Sequence, residues 1–98
     1  ERDGWAILAR RRRTTAGEID VVAEREGVLA VVEVKARRTL ASAAEALGPR
    51  QQQRLLDAAA IVLAENPDWG ANGVRFDIVV VDTVGRVRRI ADAFRQES

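Results

Sequence analysis

Four residues in two neighbouring runs have the types and spacing to hold a metal ion. Glu18 and Asp20 lie in Gly17-Glu18-Ile19-Asp20, and Glu33 and Lys35 lie in Val32-Glu33-Val34-Lys35. Carboxylates are hard oxygen donors that suit Mg²⁺ or Mn²⁺. A lysine beside them could activate a water or neutralise charge developing on a phosphate. Together they are equipment for hydrolysing a phosphodiester with metal-activated water. The rest of the composition narrows the chemistry to this set. The chain has no histidine and no cysteine. That excludes His-dependent triads, histidine metal triads, disulfides, and Cys-ligated zinc or iron–sulfur centres.

The elements that must position these four side chains are two strands and a turn. Glu18–Glu24 and Val28–Ala36 are rich in Val and Ile and flank Glu26-Gly27, the pattern of a β-hairpin. A two-residue loop at Glu26-Gly27, or a four-residue loop from Arg25 to Val28, places Asp20 opposite Glu33 and Glu18 opposite Lys35. Side chains alternate faces, so all four would share one face. A three-residue loop would slip the register and separate them. Directly opposed Cβ atoms lie about 4.5–5.5 Å apart, where like charges repel. Apolar neighbours such as Ile19, Val21, Val32 and Val34 make that repulsion worse. A bound divalent cation would resolve it. The alternative is a strand-end salt-bridge cluster in which Lys35 satisfies Glu18 and Glu33.

Asp followed on the next strand by Glu-x-Lys resembles the core of the PD-(D/E)xK nuclease superfamily. The fuller set of matches is similar to the YraN-like family of predicted endonucleases, themselves similar to archaeal Holliday-junction resolvases. It runs through Gly4-Trp5-x-Ile-Leu-Ala, Arg13-x-x-x-Gly17-Glu18-Ile19-Asp20, Val32-Glu33-Val34-Lys35-x-Arg37 and Arg75-Phe76-Asp77. The resemblance implies that Asp20, Glu33 and the Val34 backbone carbonyl are Mg²⁺ or Mn²⁺ ligands. Lys35 would be the catalytic lysine and Glu18 an auxiliary acid. It further implies a helix before Gly4 carrying another acid of the site, largely outside this sequence. By analogy with resolvases it also implies branched or junction DNA as substrate and a homodimer, since a symmetric junction needs two cuts. Arg88, Arg89 and Phe94 are candidates for that contact. The family has a lysine near Gln51, which this chain lacks.

At 98 residues, 47% hydrophobic and 32% charged, the chain is expected to be one domain of a globular protein. It has neither an apolar run of membrane-spanning length nor a signal-peptide pattern. No membrane contact and a cytoplasmic location are therefore expected. Net charge is only +1, yet Lys35 is the only lysine among 16 basic residues. Arginine's rigid fork suits phosphate, although coding bias would give the same weighting. Arg10, Arg11, Arg12 and Arg13 form a run beside the acidic hairpin. They would either anchor a DNA backbone or guard a solvated edge strand. Arg37 and Arg38 extend the basic surface past Lys35, and Arg50 and Arg54 are further candidates for phosphate contacts.

Along the chain, Trp5–Ala9 reads as a short strand, Thr14–Gly17 as a loop, and Leu40–Gly48 as a helical turn or loop. A helix opens at Pro49, favoured at a first helical position, and stops at Asn66-Pro67. Gln52, Leu55, Leu56, Ala59, Val62 and Leu63 form its apolar stripe, with Gln52 at the stripe's open edge. Val74–Asp82 suits a strand buried on both faces, in which Asp77 would pair with an arginine such as Arg75 or Arg37. Arg86–Ile90 reads as an edge strand and residues 91–98 as a tail. The fold class expected is α/β. It would have a mixed central sheet with flanking helices and, as the resemblance implies, a restriction-endonuclease-like core with its N-terminal helix missing or truncated.

Two other functions fit the same residues. One is a non-catalytic nucleic-acid-binding module with a vestigial metal site, its affinity falling steeply with salt and indifferent to metal. The other is a structural or interaction domain whose acids are all salt-bridged.

Overall fold

The computed structural model describes residues 2–41 and 47–94. After a 3₁₀ turn at Arg2–Gly4 come β1 (Ala6–Thr14), β2 (Gly17–Arg25), β3 (Val28–Ala36), α1 (Pro49–Glu65), β4 (Gly73–Val81) and β5 (Val87–Phe94). The five strands form one sheet in the order β1-β2-β3-β4-β5. β3 and β4 are parallel, and the other neighbours are antiparallel. The architecture is thus a mixed α/β sheet, with α1 in the crossover that a parallel pair requires. Among the described residues α1 is the one α-helix. It is not long and apolar enough to cross a membrane. Most of the expected turn or loop at Leu40–Gly48 lies outside the described residues.

The β2–β3 turn is the two-residue loop Glu26-Gly27. Both residues have positive φ, 53° and 78°, as hairpin turns that match strand twist require. Asn72 fixes this turn from outside. Its Nδ2 donates to the Glu26 carbonyl at 2.7 Å, and its backbone N–H donates to the Gly27 carbonyl at 2.9 Å. The resulting register, from Arg25↔Val28 to Val21↔Val32, is the one that carries Asp20 towards Glu33.

Two strands are longer than expected. β1 continues through all four arginines to Thr14 as an edge strand, in which alternate residues turn their backbone N–H and C=O to water and successive side chains take opposite faces. β5 runs to Phe94, so 91–94 are strand and not tail. Phe94 stacks on Phe76 with ring centroids 4.9 Å apart, which rewards the extra pairing.

The main core lies between α1 and one face of the sheet. Leu55, Ala58, Ala59 and Val62 of α1 pack with Ile19, Val22, Leu29, Val31, Phe76, Ile78 and Val80. The helix stripe is centred one step from the expected one, with Ala58 fully buried and Leu56 and Leu63 only partly so. Gln52 sits at the stripe's edge and donates to the Leu47 carbonyl at 3.1 Å. On the other face, Trp5, Ala23 and Ala30 form a smaller cluster.

The β4–β5 turn is closed by Asp82. Its Oδ1 accepts from the Val84 and Arg86 N–H groups at 3.0 and 2.8 Å, and its Oδ2 from Arg86 Nε at 2.7 Å. Burial pushes this carboxyl up, but the Arg86 and Val84 hydrogen bonds outweigh it and hold the group below its ordinary value of 3.8. A depressed carboxylate stabilises the fold above the unfolded-state value, and that contribution is lost as pH falls through the folded-state value. Asp82→Asn should therefore flatten the dependence of melting temperature on pH below about pH 4. Parallel wild-type and variant curves through that range would show that Asp82 contributes nothing to acid sensitivity.

Candidate metal centre

The acidic pair forms where the β2–β3 ladder stops. Past Val21↔Val32, the Asp20 carboxylate takes the place of a backbone acceptor, and its Oδ2 receives the Val34 N–H at 2.7 Å. The N–H and C=O of a strand residue point to the same side, so the Val34 carbonyl is also directed towards β2 and Asp20. Glu33 is 5% exposed. Its Oε2 lies 2.8 Å from Arg54 Nη2 and 3.4 Å from Lys35 Nζ. Burial pushes the Glu33 carboxyl above the ordinary carboxylate range. Hydrogen bonding to Asp20 and repulsion by its charge push the same way, and Arg54 and Lys35 only partly offset them. Asp20, Glu33 and Lys35 are therefore brought together, as the register predicts.

Glu18 is not part of this group. Ile19 is fully buried in the α1-facing core, in the same cluster as Val22, although strict alternation would set the two on opposite faces. The alternation breaks between them, at Asp20, which lies opposite Arg11 in the β1–β2 pairing. Arg11 itself has φ 50°, the kind of local irregularity that re-aims side chains along a strand. The Glu18 carboxylate is near Arg13, with Oε2 3.6 Å from Nε, and its expected position opposite Lys35 is lost.

The arginines divide in the same way. Arg12 pairs with Glu65 at the end of α1, while Arg10, Arg11, Arg38 and Arg50 are exposed. Arg37 donates to the Ala36 carbonyl at 2.7 Å. Arg54 turns inward. Its Nη1 donates to the Glu18 carbonyl at 2.9 Å, its Nη2 to Glu33, and its Nε to Gln51 Oε1 at 2.9 Å. Sequence reasoning did not find this role. The one available signal was Gly17: a Cβ there would lie 2.6 Å from Arg54 Nη1 and 3.0 Å from its Cδ, so glycine leaves room for the arginine to pass. Beyond Arg54 a hollow of about 580 Å³ opens, lined by Ala16, Pro49, Arg50, Gln53 and Asp57.

The donor set can be compared with the cations expected. Among the described residues no group of three acidic side chains is gathered at one point. Two carboxylates with a nearby carbonyl match Mg²⁺ or Mn²⁺ in donor type. Mg²⁺ in particular is commonly held by one or two carboxylates and keeps several waters. Asp77, a further buried acid, faces away from this pair. Its Oδ2 accepts from Arg89 at 2.7 Å and Arg75 at 3.1 Å, so its expected pairing with Arg75 is present and Arg89 is the second partner.

Comparison with known proteins places the chain in a family. The model of "Uncharacterised protein family UPF0102" matches residues 1–81. A UPF0102 protein of Granulibacter bethesdensis is 64% identical over 95 residues, which cover 97% of this chain and 60% of the relative. One from Acidiphilium cryptum is 53% identical, covering 96% of this chain and 73% of the relative. One from Azorhizobium caulinodans is 43% identical, covering 99% and 74%. This chain thus spans about three fifths to three quarters of the length of these relatives, and it belongs to the uncharacterised protein family UPF0102.

Proposed function

We propose that the protein is a metal-dependent nuclease that hydrolyses DNA phosphodiester bonds. The observation that carries this reading is the Asp20 carboxylate crowded against the buried Glu33, with Lys35 beside it. A purely structural cluster has no need to force one carboxylate against another, and perturbed acids of this kind concentrate at functional sites.

Asp20, Glu33 and the Val34 carbonyl would hold Mg²⁺ or Mn²⁺. When bound, that ion supplies Lewis acidity and a water activated for in-line attack on phosphorus. Asp20 is fixed by the Val34 N–H, so its oxygens keep a set direction relative to β3. Lys35 places a positive charge where negative charge builds on the attacked phosphate, which lowers the barrier without proton transfer. Arg10, Arg11, Arg38 and Arg50 supply exposed donors for backbone phosphates, contacts that position DNA without reading its sequence. A branched substrate and a homodimer belong to the proposal by family analogy alone.

The second reading, a nucleic-acid-binding module without catalysis, is favoured by one feature: the Arg54 and Lys35 cations already lie on Glu33. The two are separated by incubating the protein with junction, flap, single-stranded and duplex DNA, with Mn²⁺ or with chelator, alongside Glu33→Gln. Metal-dependent cutting that Glu33→Gln abolishes supports the nuclease. Salt-sensitive binding without cutting, unchanged by metal, supports the module.

Glu33→Gln also has a stability signature in metal-free buffer. A raised carboxyl contributes stability that is present below the unfolded-state value and is lost as pH rises through the folded-state value. Above the folded-state value the ionised Glu33 is therefore a liability, and there Glu33→Gln should hold or raise the melting temperature. A salt-bridge cluster built for stability predicts a loss of about 3–5 kcal/mol, the usual result of removing one partner of a buried pair.

A further inference from the structure

We propose that Arg54 is a resident counter-cation of the acidic pair, seated on the Glu33 oxygen that an incoming divalent ion competes for. The proposal rests on the metal-site reading above and concerns how the acidic pair is held in metal-free protein. Arg54 reaches Glu33 from α1, across the Cα of Gly17, and makes three contacts on the way. Nε meets Gln51 Oε1, Nη1 meets the Glu18 carbonyl, and Nη2 meets Glu33 Oε2. The guanidinium thus ties the first turns of α1 to the start of β2 and to β3 at the one point where two carboxylates repel.

The same geometry sets it against a metal. Lys35 and Arg54 both address Oε2 of Glu33. A divalent ion shared by Glu33 and Asp20 would sit within a few ångströms of the guanidinium, where repulsion between like charges in a half-buried setting is strong. Arg54 must give way or weaken the ion's hold. Gly17, with φ 132°, leaves the space through which Arg54 passes, and the exposed Gln51 braces the guanidinium from α1, so removing the Gln51 side chain loosens Arg54 without removing its charge from the protein.

The test is Mn²⁺ binding by calorimetry, with melting temperature in chelator as an independent readout. Arg54→Gln should bind Mn²⁺ at least about tenfold more tightly than wild type, the effect of relieving one close positive charge. It should also melt earlier in chelator, and Arg54→Lys should stay near wild type in both. Gln51→Ala, which removes the acceptor of Arg54 Nε at an exposed helix position, should shift affinity in the same direction as Arg54→Gln, by less. Asp20→Asn and Glu33→Gln separate the two layers of the argument. If both acid variants abolish Mn²⁺ binding while folded Arg54→Gln and Gln51→Ala bind it as wild type or more weakly, the counter-cation role is overturned and the metal site stands. If the acid variants bind Mn²⁺ like wild type, the metal site is wrong and the proposal falls with it. If Arg54→Gln does not fold, Gln51→Ala decides: tighter binding supports the role, and unchanged or weaker binding overturns it.

Discussion

Lys35→Ala is expected to lower metal-dependent DNA cleavage by about 10²–10³-fold, the typical cost of removing one preorganised electrostatic stabiliser, with Mn²⁺ still bound. The side chain is well placed for so specific a loss. Its Nζ lies 3.4 Å from Glu33 Oε2 with 23% of the side chain exposed, so it is neither a ligand nor a buried structural ion. Taking a positive charge away from Glu33 should leave Mn²⁺ affinity equal or slightly higher. Partial exposure on a strand whose packing is carried by Leu29, Ala30 and Val31 should leave the fold intact. The loss should therefore fall on the single-turnover rate at saturating Mn²⁺ and DNA, and not on KM, because the interaction is made in the transition state. Lys35→Arg keeps a charge but exchanges a point donor for a planar fork, so only partial recovery is expected. Cleavage by Lys35→Ala at the wild-type rate would remove Lys35 from the chemistry. A drop in rate accompanied by loss of Mn²⁺ binding would place it in metal binding instead.

Much of this site was legible before the fold was known, and the reason is local. Hairpin register depends on a two-residue turn, and the Val-rich runs around Glu26-Gly27 leave few ways to close one, so Asp20 and Glu33 could be brought together from spacing alone. Pro49 and Asn66-Pro67 similarly bracket α1 by backbone rules that need no tertiary information. What could not be read depended on contacts between distant segments. β1 carries Arg10–Arg13 into the sheet because β2 is there to pair with it. Glu18 leaves the site because alternation breaks at Asp20 opposite Arg11, and period-two reasoning has no way to place such a break. Arg54 resembled a surface phosphate contact, as an arginine on an amphipathic helix usually would. Its inward turn depends on α1 crossing β2 at a glycine. The restriction-endonuclease-like core and the helix before Gly4 remain expectations of the resemblance. The mixed sheet itself follows from the order of strands around a single crossover.

Asp77→Ala should damage the fold severely, costing about 3 kcal/mol from a total of roughly 5–15 kcal/mol for a domain of this kind. The Asp77 side chain is 0% exposed and serves three donors. Oδ2 accepts from Arg89 and Arg75, and Oδ1 accepts the Asp92 N–H at 2.8 Å. The Asp92 contact fixes β5 where it departs from regular pairing. The β4–β5 register shifts between Phe76 and Ile78, and Asp92 has φ 53°. Without that acceptor the last strand loses its hold just before Phe94, and the Phe76–Phe94 stack goes with it. The two arginines would also be left uncompensated against Trp5, whose ring has the Arg75 and Arg89 guanidinium carbons at 4.7 and 5.6 Å from its centroid. Their side chains are 26% and 42% exposed, so water can recover part of their solvation. That places the loss at the lower end of the 3–5 kcal/mol range for breaking a buried pair. Asp77→Asn keeps an oxygen for Asp92 while dropping the charge, and should lose about 1–3 kcal/mol. Urea unfolding of the two variants tests the ordering. Mn²⁺ calorimetry on folded Asp77→Asn tests the assignment of faces. Asp77 pairs across from Val32, and the residue across from Glu33 is Ile78, so its charge points away from the acidic pair and Mn²⁺ affinity should be unchanged. Loss of Mn²⁺ binding in a folded Asp77→Asn protein would make Asp77 a third acid of the site.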